Sequence, residues 1–131
     1  MITSFYAALL CFVYIYLSLR TIGLRKRHQV AIGDAGHGEL QRAIRVHGNF
    51  SEYAPLALLL IFFAESTQAP PTFIHMLGVL LLIARCLHAY GVANVKEVLM
   101  FRQLGMVGTF GVMSIASARL LYQFIVQVLH S

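Results

Sequence analysis

Hydrophobic residues are concentrated in four long runs along this 131-residue chain, and short polar segments separate the runs. An α-helix needs about 20 residues to cross a hydrocarbon core of ~30 Å. The pattern predicts helices over residues 2–19, 39–65, 72–92 and 104–129. Because the connections are short, successive helices are expected to be antiparallel. The sequence therefore predicts one all-α integral membrane domain, residues 1–131, folded as a four-helix transmembrane bundle.

The composition is that of a membrane protein. The chain is 59% hydrophobic and 11% charged, with a mean hydropathy of +0.75, whereas soluble proteins are about 25% charged. No basic segment precedes the first run and no Ala-x-Ala site follows it, so we interpret this run as an anchor rather than a cleaved signal. Cys11 and Cys86 lie inside apolar runs. We expect both to be small buried hydrophobic residues, not a disulfide or a metal site.

Basic residues are unevenly distributed over the three connections. Arg20 and the triplet at 25–27 follow the first run, and Lys96 and Arg102 precede the fourth, whereas the middle connection has no Lys or Arg. Because basic loops are retained in the cytoplasm, the first and third connections are predicted to be cytoplasmic and both termini to lie outside.

A strip of polar residues leads into the second hydrophobic run. It consists of Arg42, Arg45, Asn49, Glu52 and Tyr53. At ~100° per residue these side chains share roughly one quarter of a helix circumference. Within a membrane such a strip must face protein or a wet cavity. It is either a ligand site or a buried polar network that fixes helix packing.

Polar residues on the third and fourth helices are predicted to lie at the same depth. Arg85, His88 and Tyr90 are near the end of the third run, and Arg102 precedes the fourth. Singly, each has an ordinary role, such as headgroup contact, helix capping or an interfacial aromatic side chain. Their convergence with the strip favours a site.

Cations outnumber acids on this side of the membrane. The acids there are Asp34, Glu39, Glu52 and Glu97. The excess of positive charge favours an anionic ligand. Glu65 and Arg119 stand apart, towards the outer side, and are expected to pair and hold the fourth helix against the second.

The motif Arg45-x-x-x-Asn49-x-x-Glu52-Tyr53-x-Pro55 resembles the signature of MAPEG, the membrane-associated proteins in eicosanoid and glutathione metabolism. The superfamily includes membrane-bound glutathione transferases and the prostaglandin and leukotriene synthases. The resemblance covers nearly the whole chain in length and helix order, and is strongest to the small bacterial branch. It implies a homotrimer in a bacterial inner membrane, with sites between subunits and glutathione as co-substrate.

The resemblance also implies roles for individual residues. Arg102 would activate the thiol, although its spacing from Tyr90 differs from that in the eicosanoid enzymes. Arg85 and His88 resemble an Arg-x-x-His or Arg-x-x-Tyr pattern that ends the third helix. The implied glutathione-binding residues are Arg45, Asn49, Glu52, Tyr53, Arg85, His88 and Tyr90. We add Arg42, because helical spacing places it on the same face one turn earlier. Tyr90 lies roughly 140° around the helix from Arg85, so the two are expected to serve different pockets.

Three functions are compatible with this pattern. The first is a glutathione-dependent transferase or peroxidase of lipophilic electrophiles, with the trimer, membrane lipid and a lipophilic substrate as partners and no nucleic acid. The second is a non-enzymatic membrane protein that binds glutathione or lipid. The third is a small channel or transporter subunit. The distribution of the polar residues argues against this function, because they cluster on one side of the membrane instead of lining a path through it.

Overall fold

The structure is a computed structural model that describes residues 1–94, 96 and 98–130. This part of the chain folds into four α-helices. They are α1 (Ile2–His28), α2 (Gly38–Ser66), α3 (Pro71–Ala93) and α4 (Leu99–Leu129). Each is long and apolar enough to cross a membrane. The all-α, four-helix architecture predicted from the sequence is confirmed.

The bundle is built around α2 and α3. Each of these two helices packs against the other three, whereas α1 and α4 do not touch each other anywhere in the described residues. Ile61, Leu77, Leu81 and Val112 are fully buried where α2, α3 and α4 meet. The two central helices therefore carry both the core and the polar strip.

The contact of α4 with α3 depends on small side chains. The buried positions of α4 are Gly105, Thr109, Val112 and Ala116, one narrow seam along the helix. A Cβ atom at Gly105 would lie 2.6 Å from the carbonyl oxygen of Ala84. Small residues of this kind let transmembrane helices approach closely. Most of the remaining surface of α4 is apolar and exposed on the subunit.

Two helices extend beyond the bounds predicted from hydropathy. The basic triplet at 25–27 belongs to the last turn of α1, where cations favour the negative end of the helix dipole. Arg25 Nη1 donates to the carbonyl oxygens of Ala31 at 3.2 Å and Gly33 at 2.9 Å, so it orders the following loop. At the other end of the chain α4 already begins at Leu99, which places Arg102 inside the helix. Hydropathy marks the apolar length of a helix and not its hydrogen-bonded length.

The expected pair between Glu65 and Arg119 is wrong. Glu65 instead accepts the backbone N–H of Ile2 through Oε1 and that of Thr3 at 2.8 Å through Oε2. Arg119 Nη1 donates to Gln123 Oε1 at 2.6 Å. The first N–H groups of α1 have no partner within the helix and lie at its positive end, so they attract the carboxylate.

The two cysteines are free, as expected, but they are not buried in the subunit. Cys11 and Cys86 both lie on outward helix faces. An apolar run that spans a membrane has side chains on every face, so hydropathy alone does not separate core positions from lipid-facing ones.

Candidate functional site

The polar strip of α2 is divided between an inner and an outer edge. Asn49 is buried against α3, whereas the side chains of Arg45 and Glu52 are 66% and 50% exposed. Arg45 Nη1 and Glu52 Oε1 lie 3.4 Å apart, two helical turns along the same face. The polar residues thus share one face of α2, as their spacing predicts.

Arg85 fixes the inner edge of the strip. It is 1% exposed, and its Nη1 donates to Asn49 Oδ1 at 3.0 Å. Its Nη2 lies 3.9 Å from Met106 Sδ, and its Cζ lies 6.0 Å from the centre of the Tyr53 ring. Among the described residues these partners are all neutral, and Nε has no hydrogen-bond partner. A buried cation without a counter-ion is costly, so packing alone does not account for this residue.

Two glycines bring Arg102 and His88 to the same place. A Cβ atom at Gly91 would lie 2.5 Å from the backbone nitrogen of Arg102, so the end of α3 touches the first turn of α4. One turn further, a Cβ atom at Gly105 would lie 2.6 Å from Cβ of His88. The close approach of the two backbones therefore sets Arg102 beside the last turns of α3.

Three helices enclose a cavity of about 490 Å³ at this end of the bundle. It is lined by Gln41, Arg42, Arg45, Asn49, Tyr53, His88, Val92, Arg102 and Met106. The volume is in the range of small-molecule sites. No carboxylate is found among the described residues that line it. Glu97, counted above among the acids on this side, lies outside the described residues.

Arg42 lines the cavity and also holds the end of α3. Its Nη1 donates to the carbonyl oxygen of Val92 at 3.3 Å. Arg20 of α1 donates through Nη2 to the next carbonyl, that of Ala93, at 3.1 Å. The last carbonyls of a helix lack partners within the helix and carry partial negative charge, so two cations satisfy them well.

The structure brings together six of the nine residues singled out from the sequence. They are Arg42, Arg45, Asn49, Tyr53, His88 and Arg102. Arg85 lies behind this group, bonded to Asn49. Glu52 lies at the outer edge and reaches the group through Arg45.

Tyr90 is not part of this cavity. It lines a separate groove between α1 and α3. His88 and Tyr90 are two residues apart, which places them roughly 200° from each other around α3. The separation of Tyr90 from the other polar residues agrees with its angular distance from Arg85.

Sequence reasoning missed three residues that line the cavity. Met106 follows Arg102 by one turn, Val92 follows His88 by one turn, and Gln41 directly precedes Arg42. Helical periodicity applied to the predicted residues would have found the first two. None of the three carries a charge, which is why a search for converging charges passed over them.

Comparison with known proteins identifies the family. The family model described as "MAPEG family" matches residues 3–122. The chain is 37% identical over 110 residues to "Inner membrane protein YecN" of Escherichia coli strain K12, covering 84% of this chain and 82% of that protein. The protein of the same name from Escherichia coli O6:H1 matches equally well. A family match over nearly the whole chain, with a relative at this identity, shows that the protein is an integral inner membrane protein and belongs to the MAPEG family.

Proposed function

We propose that the cavity binds glutathione and that the protein is a membrane-bound glutathione-dependent transferase or peroxidase of lipophilic electrophiles. One observation carries the proposal: Arg42, Arg45 and Arg102 line a single cavity together with an amide, a phenol and an imidazole. Glutathione presents two carboxylates, an amine and a thiol, and a cluster of guanidinium groups is suited to its net negative charge.

The outer edge of the strip supplies groups for the amine and for one carboxylate of the tripeptide. Arg45 can bind a carboxylate of glutathione bidentately, and Glu52 can accept hydrogen bonds from its ammonium group. The ion pair between these two side chains is exposed and therefore weak, worth about 0–1 kcal/mol. Replacing this ion pair with contacts between the two side chains and charged groups of a ligand therefore costs little free energy.

Arg102 is the residue we propose for activation of the thiol. It lies in the first turn of α4, where the positive end of the helix dipole adds to its own charge. Lowering the pKa of the glutathione thiol by one unit takes about 1.4 kcal/mol of preferential stabilisation of the thiolate. A guanidinium close to the sulfur in a partly desolvated cavity supplies an effect of this size.

The thiolate then has two possible reactions. With an electrophilic carbon it forms a C–S bond, and the leaving group departs or the product takes up a proton. With a lipid hydroperoxide it breaks the O–O bond, and a second glutathione completes the reduction, so the products are an alcohol, water and oxidised glutathione. In both cases the acceptor dissolves in lipid, whereas glutathione arrives from the aqueous side.

We also propose that the protein is a homotrimer with both termini outside and the first and third connections in the cytoplasm. The basic residues at 25–27 and at Lys96 support this orientation. The exposed apolar faces of α1 and α4 offer surface for neighbouring subunits as well as for lipid. The cavity would then open to the compartment that supplies glutathione.

Glutathione conjugation by the purified protein in detergent tests the proposed activity. A small panel of lipophilic electrophiles and lipid hydroperoxides should include at least one that is consumed faster than with glutathione alone. The matched control is Arg27→Leu, which removes an exposed arginine outside the cavity and should leave the rate unchanged. Saturable glutathione binding with no turnover on any acceptor would favour the non-enzymatic function instead.

A further inference from the structure

A second groove, the α1–α3 groove, lies on the other side of α3 from the cavity. Its volume is about 480 Å³. One wall is the face of α1 that carries Phe12, Tyr16 and Arg20, at successive turns, and the other is the face of α3 that carries Ala89 and Tyr90. Because α3 separates it from the cavity that contains His88, it is not a second entrance to that site.

The polarity of the groove changes along its length. Phe12 and Val13 are at its apolar end, and Arg20, two turns further along α1, is at its polar end. Tyr16 and Tyr90 are 65% and 59% exposed on the two walls. Aromatic residues with a polar tip, followed by a cation, are typical of the depth at which acyl chains meet headgroups.

Arg20 has capacity for a further ligand. Within the described part of the chain it donates one hydrogen bond, to the carbonyl oxygen of Ala93. A guanidinium has five N–H donors and binds phosphate in a bidentate manner. No acid occurs among the described residues that line the groove.

We propose that the α1–α3 groove binds one anionic phospholipid, with its phosphate on Arg20 and the first part of an acyl chain against Phe12, Val13 and Ala89. The occupant is a lipid of the surrounding membrane. A second copy of the chain fits less well, because it would have to bring an acid to Arg20. Four of the five acidic residues of the chain are described. Glu65 binds the N-terminus of α1, Glu52 pairs with Arg45, Asp34 accepts the backbone N–H of Gly36, and Glu39 lies in the first turn of α2.

The two cysteines provide a direct readout. Cys86 lines the groove, whereas Cys11 is exposed on α1 outside it and serves as an internal reference. Alkylation by N-ethylmaleimide is followed at both thiols in nanodiscs of phosphatidylcholine alone or with phosphatidylglycerol, without glutathione. We expect phosphatidylglycerol to slow alkylation of Cys86 relative to Cys11 by about tenfold, the size expected for a charge-assisted contact.

Variants of Arg20 identify the headgroup contact. Arg20→Gln should abolish the effect of phosphatidylglycerol on Cys86, and Arg20→Lys should keep part of it. The control Arg27→Gln removes an exposed cation from the same helix and should keep all of it. A phosphatidylglycerol effect that survives in Arg20→Gln overturns the proposal. Equal Cys86 rates in the two lipids, including no reaction in either, also overturn it.

Native mass spectrometry of the wild-type protein gives a test that needs no variant. Released from nanodiscs of mixed phosphatidylglycerol and phosphatidylcholine, each subunit should retain one phosphatidylglycerol in preference to phosphatidylcholine. Retention in proportion to the lipid mixture contradicts the proposal even if Arg20→Gln fails to fold.

Discussion

Arg85 is a buried cation whose described partners are an amide, a thioether and an aromatic ring. Such a group lowers the stability of the fold, because desolvation of a guanidinium costs more free energy than hydrogen bonds to neutral partners recover. A buried cation of this kind therefore points to a role for its charge in binding. Its hydrogen bond to Asn49 fixes an amide that lines the cavity, and its charge lies directly behind the other arginines. We infer that Arg85 is a positioning residue for the ligand.

The substitution Arg85→Met separates this role from packing. It removes the cost of the buried charge and fills similar volume, so we expect an unchanged or higher melting temperature. Glutathione affinity should fall by about tenfold, because Asn49 loses its charged partner. Thermal unfolding and ligand titration of the same preparation measure both effects. A variant that is destabilised yet binds glutathione normally would contradict the inference.

Arg102→Leu tests activation of the thiol. We expect glutathione binding to be largely retained, since Arg42 and Arg45 remain. The thiolate absorbance near neutral pH should disappear, and turnover should fall by about 100-fold, as for loss of one electrostatic donor. Cys11→Ala and Cys86→Ala are controls, because neither thiol lines the cavity. An unchanged thiol pKa and rate in Arg102→Leu would assign the role to another residue, with Arg85 the first to test.

At the scale of the residue, the sequence predicted which side chains share a face but not which partner each one takes. The i to i+7 spacing of Arg45 and Glu52 was sufficient to place them on one face of α2, two turns apart. The partner of Glu65 was not predictable, because it is the backbone N–H groups of Ile2 and Thr3 and no sequence motif marks them. Pairing depends on how helices pack, and local patterns of hydropathy and spacing do not show that packing.

The α3–α4 contact decides the geometry of the site at the scale of the element. Gly91 and Gly105 allow the two backbones to approach closely at the positions of Arg102 and His88. Hydropathy predicted both helices, but it is insensitive to glycines inside apolar runs. The predicted start of α4 was late for a related reason: charged residues such as Arg102 are good helix formers although they are not apolar.

Gly105→Ala tests the importance of this contact. The added methyl group would meet backbone atoms of α3, which cannot move away easily, so we expect a loss of about 1–3 kcal/mol in stability. Gly111→Ala is the matched control on the same helix, since no atom lies within 4 Å of the added Cβ. It should be neutral or stabilising by up to about 1 kcal/mol. Equal melting temperatures for the two variants would show that α3 and α4 are not held at this distance.

At the scale of the whole molecule, the charge distribution predicts an orientation that the bundle itself does not reveal. The cavity and the basic triplet at 25–27 lie at one end, and the connection at 67–70 lies at the other. The positive-inside rule assigns the first end to the cytoplasm.

Cysteine accessibility in cells tests this orientation. In a background of Cys11→Ala and Cys86→Ala, Ser66→Cys should react with an impermeant maleimide added from outside. Lys26→Cys, in the last turn of α1 at the other end of the bundle, is the control and should react only after the membrane is permeabilised. The reverse pattern would overturn the orientation.

The mass of the protein in several detergents tests the homotrimer, which a monomer in all of them would contradict.

The central claim is that the polar cavity binds glutathione, and calorimetric titration of the purified protein with glutathione tests it most directly. Wild-type protein should bind saturably, and Arg45→Ala should weaken binding by roughly 1.5–3 kcal/mol through loss of a charged hydrogen bond. The control Arg27→Ala removes an exposed arginine on the same side of the membrane and should bind as the wild type does. Unchanged affinity in a folded, still-oligomeric Arg45→Ala protein, or no binding by the wild type, would contradict the account and leave the strip as a packing network.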